Sequence, residues 1–331
     1  MKLNHLFKPF PILLLFITSC IPLPSATALM NWDTKPAELL TWNLKDRKMM
    51  LSFDEAISQG DFNLDQLKVD SMEIEGDTIT LTLPGNRGAD KLTGTVNDQN
   101  DNETFFILPF YYSNPNLPNI IINEFTTKGS KTHPDMVEFY CLTSGNIESL
   151  TFYIGVKSNY TNRYIFPSLE VKAGDYILLH LKPEGIEGEI NEYTSQSESI
   201  GIDHCDTAWD LWVDEATGLS ANNGILALYN NPNGNILDGV YYTNRSSENM
   251  DKYSGFGSKK TLEQANILYK NEQWEFDSLS PDYGIRSTNS TSTRSICRSS
   301  DFIDTNGTGD WHIVPTRGST FGYKNTDDSY N

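Results

Sequence analysis

Short apolar runs separated by turn residues dominate the stretch from residue 119 to 155. Three runs are rich in β-branched and aromatic residues: Ile120 to Ile122, Val137 to Phe139 and Leu150 to Ile154. Glycine, serine and proline lie between them, and such residues favour turns. Runs of this length and composition predict β-strands, and several such strands joined by polar turns predict a packed β-sandwich. The chain is therefore expected to be all-β.

The order of residues within these strands carries a family resemblance. Ile122 to Glu124 (Ile-Asn-Glu) is followed by a loop, by Val137 to Tyr140 (Val-Glu-Phe-Tyr) and by a third apolar run. This order resembles the lamin-tail domain, an immunoglobulin-like module shared by nuclear lamins and many bacterial envelope proteins. The likeness continues through residues 174–179, 224–229, 293–295 and 310–311. The resemblance implies a lamin-tail domain over residues 119–325.

That region is longer than the roughly 100 residues of a minimal immunoglobulin-like sandwich, so it must contain insertions. We place them at residues 183–223 and 245–291. In the second, the spacing of Thr261 and Gln264 is that of a capping box and predicts a short helix. Between the insertions, Asn230 to Gly234 ends in Asn-Gly, the pair that favours positive φ, and predicts a hairpin.

Residues 37–118 carry a second set of strand patterns. From Thr78 to Leu83, apolar residues alternate with threonine, which predicts a strand with one face towards water. The region resembles the short bacterial immunoglobulin-like domains of envelope proteins. A proline-rich linker ends at Pro118, and residues 326–331 are expected to be a disordered tail. The predicted fold is thus two immunoglobulin-like sandwiches in tandem, the second a lamin-tail domain with two insertions and a short helix.

Residues 1–19 have the pattern of an export signal, because basic residues precede an apolar run at 12–17. That run is shorter than the roughly 20 residues of a membrane-spanning helix. Ile17 to Cys20 resembles the bacterial lipobox, although the family prefers leucine where this chain has Ile17. The resemblance implies a lipoprotein that is cleaved before Cys20 and acylated there, for example with palmitate. The alternative is an ordinary signal peptide cleaved near Ala26 or Ala28.

Residues 20–36 contain several prolines without a sustained apolar period, so we interpret them as a tether. Acyl chains on Cys20 would hold the protein to a membrane. Ile21, which is not aspartate, is compatible with the outer membrane, on its periplasmic or its surface face. The chain has 44 acidic and 25 basic residues, a formal net charge of −19. Such a surface repels phosphate backbones and disfavours nucleic-acid binding.

Motifs for catalysis are absent from the sequence or have structural explanations. No Gly-x-Ser-x-Gly elbow occurs, so a catalytic triad is not indicated. Glu124 and Glu138 lie on neighbouring predicted strands and resemble a glycosidase pair, but the lamin-tail resemblance implies a structural role for both. His204-Cys205 lacks the spacing of a zinc site. The sequence alone does not fix the pairing of Cys141, Cys205 and Cys297, and a Cys205–Cys297 disulfide is one hypothesis.

Asp304, Asn306 and Asp310 place oxygen side chains around two glycines, in the general style of a calcium loop. The EF-hand version fails, because Pro315 stands where the bidentate glutamate is required. The other interpretation is a turn before the last strand. No cofactor is therefore predicted, with calcium retained as an alternative.

Trp209 and Trp212 in the first insertion are the candidate binding residues. Exposed indoles provide contact area for a protein or glycan ligand, whereas buried ones would pack the insertion onto the sandwich. The preferred hypothesis is a non-catalytic, lipid-anchored envelope protein that presents the lamin-tail module for binding or adhesion. The alternatives are an envelope hydrolase or its non-catalytic targeting unit, and a structural envelope component with sandwiches that pair edge to edge.

Overall fold

The computed structural model describes residues 33–65, 67–85, 88–244 and 252–330. Cys20 and the rest of the predicted signal lie outside the described residues. Within the described residues, no helix is long and apolar enough to cross a membrane.

The N-terminal unit is built from seven strands in the part of the chain that the structure describes. Their order is β1-β2-β5-β4 in one sheet and β3-β6-β7 in the other. Ile79, Leu81 and Leu83 are fully buried, as the alternation with threonine predicts. The strands are β1 Leu39–Lys45, β2 Lys48–Phe53, β3 Ile57–Leu64, β4 Ser71–Glu75, β5 Thr78–Thr82, β6 Ala89–Asp98 and β7 Glu103–Tyr111.

The C-terminal unit is a larger sandwich. One sheet has the order β12-β11-β16-β17-β18, the other β15-β14-β9-β8-β19-β20, and β10 pairs with β13. The first strands are β8 Ile120–Phe125, β9 Met136–Cys141, β10 Gly145–Asn146, β11 Thr151–Val156, β12 Asn159–Ile165, β13 Glu170–Val171 and β14 Tyr176–His180. The remaining elements are β15 Trp209–Trp212, β16 Gly224–Tyr229, β17 Ile236–Thr243, helix α1 Lys259–Lys270, β18 Ile285–Arg286, β19 Ile296–Arg298 and β20 Trp311–Ile313.

The predicted all-β fold is confirmed. Aromatic residues fill the core of the larger sandwich: Phe139 contacts Phe152 and Phe166 edge-on, each with ring centroids 5.3 Å apart. Such edge-to-face contacts stabilise a core beyond the effect of buried area. The domain boundaries stay predictions.

Three local features differ from the sequence expectations. The helix begins earlier than Thr261, because the Ser258 hydroxyl caps it by accepting the Thr261 N–H at 3.0 Å. The hairpin between β16 and β17 is present, yet Gly234 does not adopt positive φ. The Asn230 side-chain oxygen instead closes the turn by accepting the Asn235 N–H at 2.7 Å. Asparagine side chains commonly replace backbone partners in this way.

The third difference is at the C-terminus, where residues 326–330 differ from the disordered tail expected from the sequence. The Asp327 carboxylate accepts hydrogen bonds from the N–H and the hydroxyl of Ser300, at 2.8 and 2.7 Å. The Tyr330 N–H donates to the Ile313 carbonyl at 2.7 Å, and the Arg294 guanidinium lies 4.0 Å from the Tyr330 ring centroid. The segment therefore lies along β20 in this structure.

Candidate functional site

A cleft of about 590 Å³ opens on the C-terminal sandwich. Residues 203–206 of the first insertion and residues 292–293 meet the C-terminal segment there. One side is formed by the loop before β9 and by residues 203–206 of the first insertion. The other side is residues 317–323, which follow β20. Its volume is within the range of small-molecule sites, about 300–1,000 Å³.

The rim of the cleft carries both charge signs. His133 Nδ1 lies 3.1 Å from an Asp203 carboxylate oxygen, and about half of the His133 side chain is exposed. Asp206, Arg317 and Tyr323 are exposed. The cleft thus offers acceptors, donors and an aromatic face at one opening.

Beneath this surface, Glu124 and Glu138 form a buried carboxyl pair. They face each other in the antiparallel pairing of β8 with β9, and both are fully buried. Glu124 accepts hydrogen bonds from the Ser295 hydroxyl, the Thr320 N–H at 3.0 Å and the Thr320 hydroxyl at 2.6 Å. These contacts tie the segment after β20 to the sheet.

Glu138 makes the second set of contacts with the same segment. Its oxygens accept the Gly322 N–H at 2.5 Å and the Asn123 side-chain N–H at 2.6 Å. Asn123 and Asn325 also exchange two amide hydrogen bonds of 2.8 Å. We call residues 319–325, held in this way, the clamped segment. One wall of the cleft is therefore fixed by the two carboxyl groups.

Burial raises the pKa of both glutamates. For Glu138 the charge of Glu124 adds to this effect. Two carboxylates so close in a low-dielectric core cannot both ionise readily, so the pair retains a proton above the usual glutamate range. This environment favours a structural role for the pair over a glycosidase role, because neither group contacts solvent.

The hypothesis of a Cys205–Cys297 disulfide is wrong in this structure. Cys141, Cys205 and Cys297 are all buried free thiols. Burial raises the pKa of the Cys141 and Cys297 thiols, which makes them poor nucleophiles.

The calcium-loop candidates surround an arginine. Arg298 is buried, and its guanidinium lies 2.9 Å from Asp304 and 3.5 Å from Asp310. Asp310 also accepts the N–H and the hydroxyl of Thr305, at 2.8 and 2.6 Å. The side-chain amide of Asn306 donates outward to the Glu272 carbonyl at 3.2 Å. The guanidinium thus occupies the position of a cation, and no group of three or more metal-ligating side chains is found in the described residues.

The two candidate tryptophans lie on β15, an edge strand parallel to β14, and not in an irregular loop. Trp212 is 5 % exposed, stacks on His180 with ring centroids 3.9 Å apart and donates to the Ser199 hydroxyl. The interpretation in which an indole packs the insertion onto the sandwich therefore applies to Trp212. Trp209 is half-buried and donates to Asp175 at 3.1 Å. A binding role for Trp209 stays a prediction.

Residues 118–313 match the family model "TP_1001_2nd: protein second domain", which covers more than half of the chain. The chain belongs to this family. A relative from Treponema pallidum (strain Nichols), an uncharacterized protein, is 26 % identical over 154 residues, or 46 % of this chain. The alignment spans 39 % of that relative.

The family match begins just before β8 and ends with β20. It therefore includes the carboxyl pair on β8 and β9, whereas Thr320 and Gly322 of the clamped segment lie beyond it. The residues that anchor the first insertion were not predicted from the sequence. His180 Nε2 lies 2.6 Å from Asp210, and Glu192 accepts the Asp210 N–H at 2.8 Å. The parallel pairing of β14 with β15, which no local pattern signals, brings His180 and Asp210 together.

Proposed function

We propose that the chain is a non-catalytic, lipid-anchored cell-envelope protein whose C-terminal sandwich, a lamin-tail domain, binds a ligand for attachment or adhesion. Cys20 would carry the acyl chains, and the outer membrane is the proposed location. The lipobox-like order from Ile17 to Cys20 supports the anchor, and the lamin-tail resemblance agrees with the immunoglobulin-like sandwich of residues 120–313.

The non-catalytic proposal rests on the burial of the acidic and histidine side chains that the fold brings together. Glu124, Glu138 and the His180–Asp210 pair resemble catalytic constellations, but all four side chains are buried and hydrogen-bonded within the protein. A general acid or base must reach the proton of a substrate. The open cleft beside them has the mixed polar and aromatic lining of a binding site.

The anchor is tested by Cys20→Ala with metabolic fatty-acid labelling and fractionation of the envelope. Loss of the label and release from the membrane fraction are expected, because more than one acyl chain gives lasting attachment. Ser19→Ala is the matched control, since it keeps a small residue before the cysteine and should leave labelling unchanged. Membrane attachment of the Cys20→Ala protein at the wild-type level would refute the lipid anchor. Turnover of ester, glycoside or peptide substrates by the purified protein would refute the non-catalytic role.

A structural envelope component is the second candidate, because β7 is an edge strand that pairs with β6 alone among the described strands. Phe105 and Ile107 on β7 are 60 % and 50 % exposed. A long apolar edge strand favours pairing with another chain. Sedimentation of the protein at increasing concentration distinguishes the candidates, since a structural component would self-associate and Ile107→Lys would abolish that association.

A further inference from the structure

We infer that the cleft between residues 133–136, residues 203–206 and the clamped segment binds a neutral saccharide. The inference rests on the proposed function, because it names the ligand class of the binding sandwich. Neither the lamin-tail resemblance nor the family match assigns a ligand to this cleft.

The aromatic residues of the cleft supply the first argument. Tyr323 is 58 % exposed on the clamped segment, and Phe321 beside it is half-buried. Both residues line the cleft, and Phe321 also packs against the buried cluster around Met136 and Leu178. Aromatic faces carry partial negative charge, so they attract the polarised C–H groups on the apolar face of a sugar ring. An exposed tyrosine in a concave site also buries large area at low conformational cost.

The polar residues of the cleft supply the second argument. The Asp203 and Asp206 carboxylates are acceptors, the Arg317 guanidinium is a donor, and Thr293 and Ser319 present hydroxyls that act as either. A sugar hydroxyl both donates and accepts, so a surface of mixed donors and acceptors satisfies it better than a one-sign surface does.

The charge of the cleft lining distinguishes a neutral saccharide from charged polar ligands. Among the residues that the structure describes, the charged side chains that line the cleft are two aspartates and one arginine, beside the histidines His133 and His204. The Asp203 carboxylate is also occupied by His133. A phosphate ligand would require a cluster of cationic donors. A strongly basic peptide would require an excess of free carboxylates. The near balance of charge in the cleft, in a chain of net charge −19, therefore favours a neutral ligand.

The clamped segment is held in a fixed position, which also favours ligand binding. Thr320 and Gly322 flank Phe321, and both are held by the buried glutamates through hydrogen bonds of 2.5–3.1 Å. The segment that presents Phe321 and Tyr323 is thus ordered before a ligand arrives. Preorganisation lowers the entropic cost of binding, which matters for weak ligands with few apolar groups.

The test uses the full mature chain in detergent and a panel of neutral, N-acetylated and acidic oligosaccharides of defined structure, with titration calorimetry of the best binder. Binding of a neutral or N-acetylated oligosaccharide is expected. Tyr323→Ala should weaken it about tenfold or more, the effect of losing an aromatic contact that the ligand buries. Asp206→Asn should also weaken it. The controls are Tyr193→Ala, which removes a comparably exposed tyrosine outside the cleft, and Asp214→Asn, which neutralises an exposed aspartate outside it.

Three results would overturn the inference: no oligosaccharide binds at millimolar concentration, only acidic oligosaccharides bind, or binding is unchanged by Tyr323→Ala. Capture of a peptide at the cleft, lost on Tyr323→Ala, would also overturn it while leaving the proposed binding function intact. Failure of the Cys20 test, by contrast, would refute the anchor and leave the saccharide inference standing.

Discussion

The buried pair Glu124 and Glu138 yields a prediction about where its retained proton lies. The partners of Glu138 are the Gly322 N–H and the Asn123 amide N–H. Both groups can only donate, since the exchange of amide bonds with Asn325 fixes the orientation of Asn123. The partners of Glu124 include the hydroxyls of Ser295 and Thr320. A hydroxyl can rotate and accept, so a protonated Glu124 finds an acceptor and a protonated Glu138 does not. We therefore place the proton on Glu124, although burial and the charge of Glu124 raise the pKa of Glu138 further.

Glutamine substitutions test this assignment, because glutamine has nearly the shape of a protonated glutamate. In the wild-type protein the Thr320 N–H lies 3.0 and 3.1 Å from the two Glu124 carboxylate oxygens. In Glu124→Gln, the amide oxygen can therefore accept this N–H while the amide NH₂ donates to a hydroxyl. We expect the free energy of unfolding at pH 7 to change by less than about 1 kcal/mol. In Glu138→Gln, the NH₂ must face the N–H of Gly322 or of Asn123. One buried donor is left unsatisfied, and we expect a loss of about 1–3 kcal/mol.

The pH dependence provides a second measurement. An unfolded glutamate has a pKa of about 4.3, and burial raises the folded pKa of both groups above that value. Between the unfolded and folded pKa values the native state binds more protons than the unfolded state. The contribution of the pair to the free energy of unfolding is therefore highest below the unfolded pKa and falls as pH rises through the folded pKa, by up to about 1.4 kcal/mol per pH unit for one proton. Glu124→Gln should reduce this slope, because it removes the group that holds the proton.

The assay is urea unfolding of the full chain from pH 5 to pH 9, with tryptophan fluorescence to follow the C-terminal sandwich. The control is Glu187→Gln, an exposed position where a change within about 0.5 kcal/mol is expected. If Glu138→Gln were the milder of the two substitutions, the proton would lie on Glu138 and the reasoning from hydroxyl partners would be refuted. An unchanged pH slope in both variants would refute the retained proton itself.

Further predictions concern the buried side chains of the same sandwich. Trp212→Ala should lower the free energy of unfolding by about 3–5 kcal/mol, as expected for a buried aromatic. Trp209→Ala should lower it clearly less, because Trp209 is only half-buried. Equal losses in chemical denaturation would contradict this difference in burial. Because of that difference, only the single Trp209→Ala variant tests a binding role for β15 without unfolding the domain. Arg298→Met should destabilise by about 3–5 kcal/mol, because it leaves Asp238 buried without its guanidinium partner 3.4 Å away. Burial raises the pKa of Asp238 to about 6, although the Arg298 charge opposes this effect. Adding Asp238→Asn to Arg298→Met should therefore recover part of the lost free energy of unfolding at pH 7. No recovery would argue against an uncompensated charge.

The sequence predicts features of this protein that depend on neighbours along the chain. The strand runs, the β16–β17 hairpin and the helix of the second insertion follow from local period and turn residues. The clamped segment could not be predicted in this way, since Glu124 and Thr320 are 196 residues apart. The oxygen-rich loop at Asp304 has a local calcium-like pattern, and Arg298 lies only six residues before it. The buried position of Arg298 depends on distant partners, since its guanidinium also contacts Asp238 and the Ile122 carbonyl, 60 and 176 residues away. A local pattern identifies side chains, whereas their role depends on long-range pairing.

The cleft lies partly outside the residues that match the family model. The matched residues end at 313, with the last strand of the sandwich. Arg317, Phe321 and Tyr323, which form one wall of the cleft, come after that point. The glutamates that hold this wall lie on β8 and β9, within the match. The pair holds the wall through the backbone N–H groups of Thr320 and Gly322, so these two contacts do not depend on the side chains at those positions. The family match therefore covers the sandwich that carries the buried carboxyl pair, and the ligand of this chain has to be determined from the segment that follows β20.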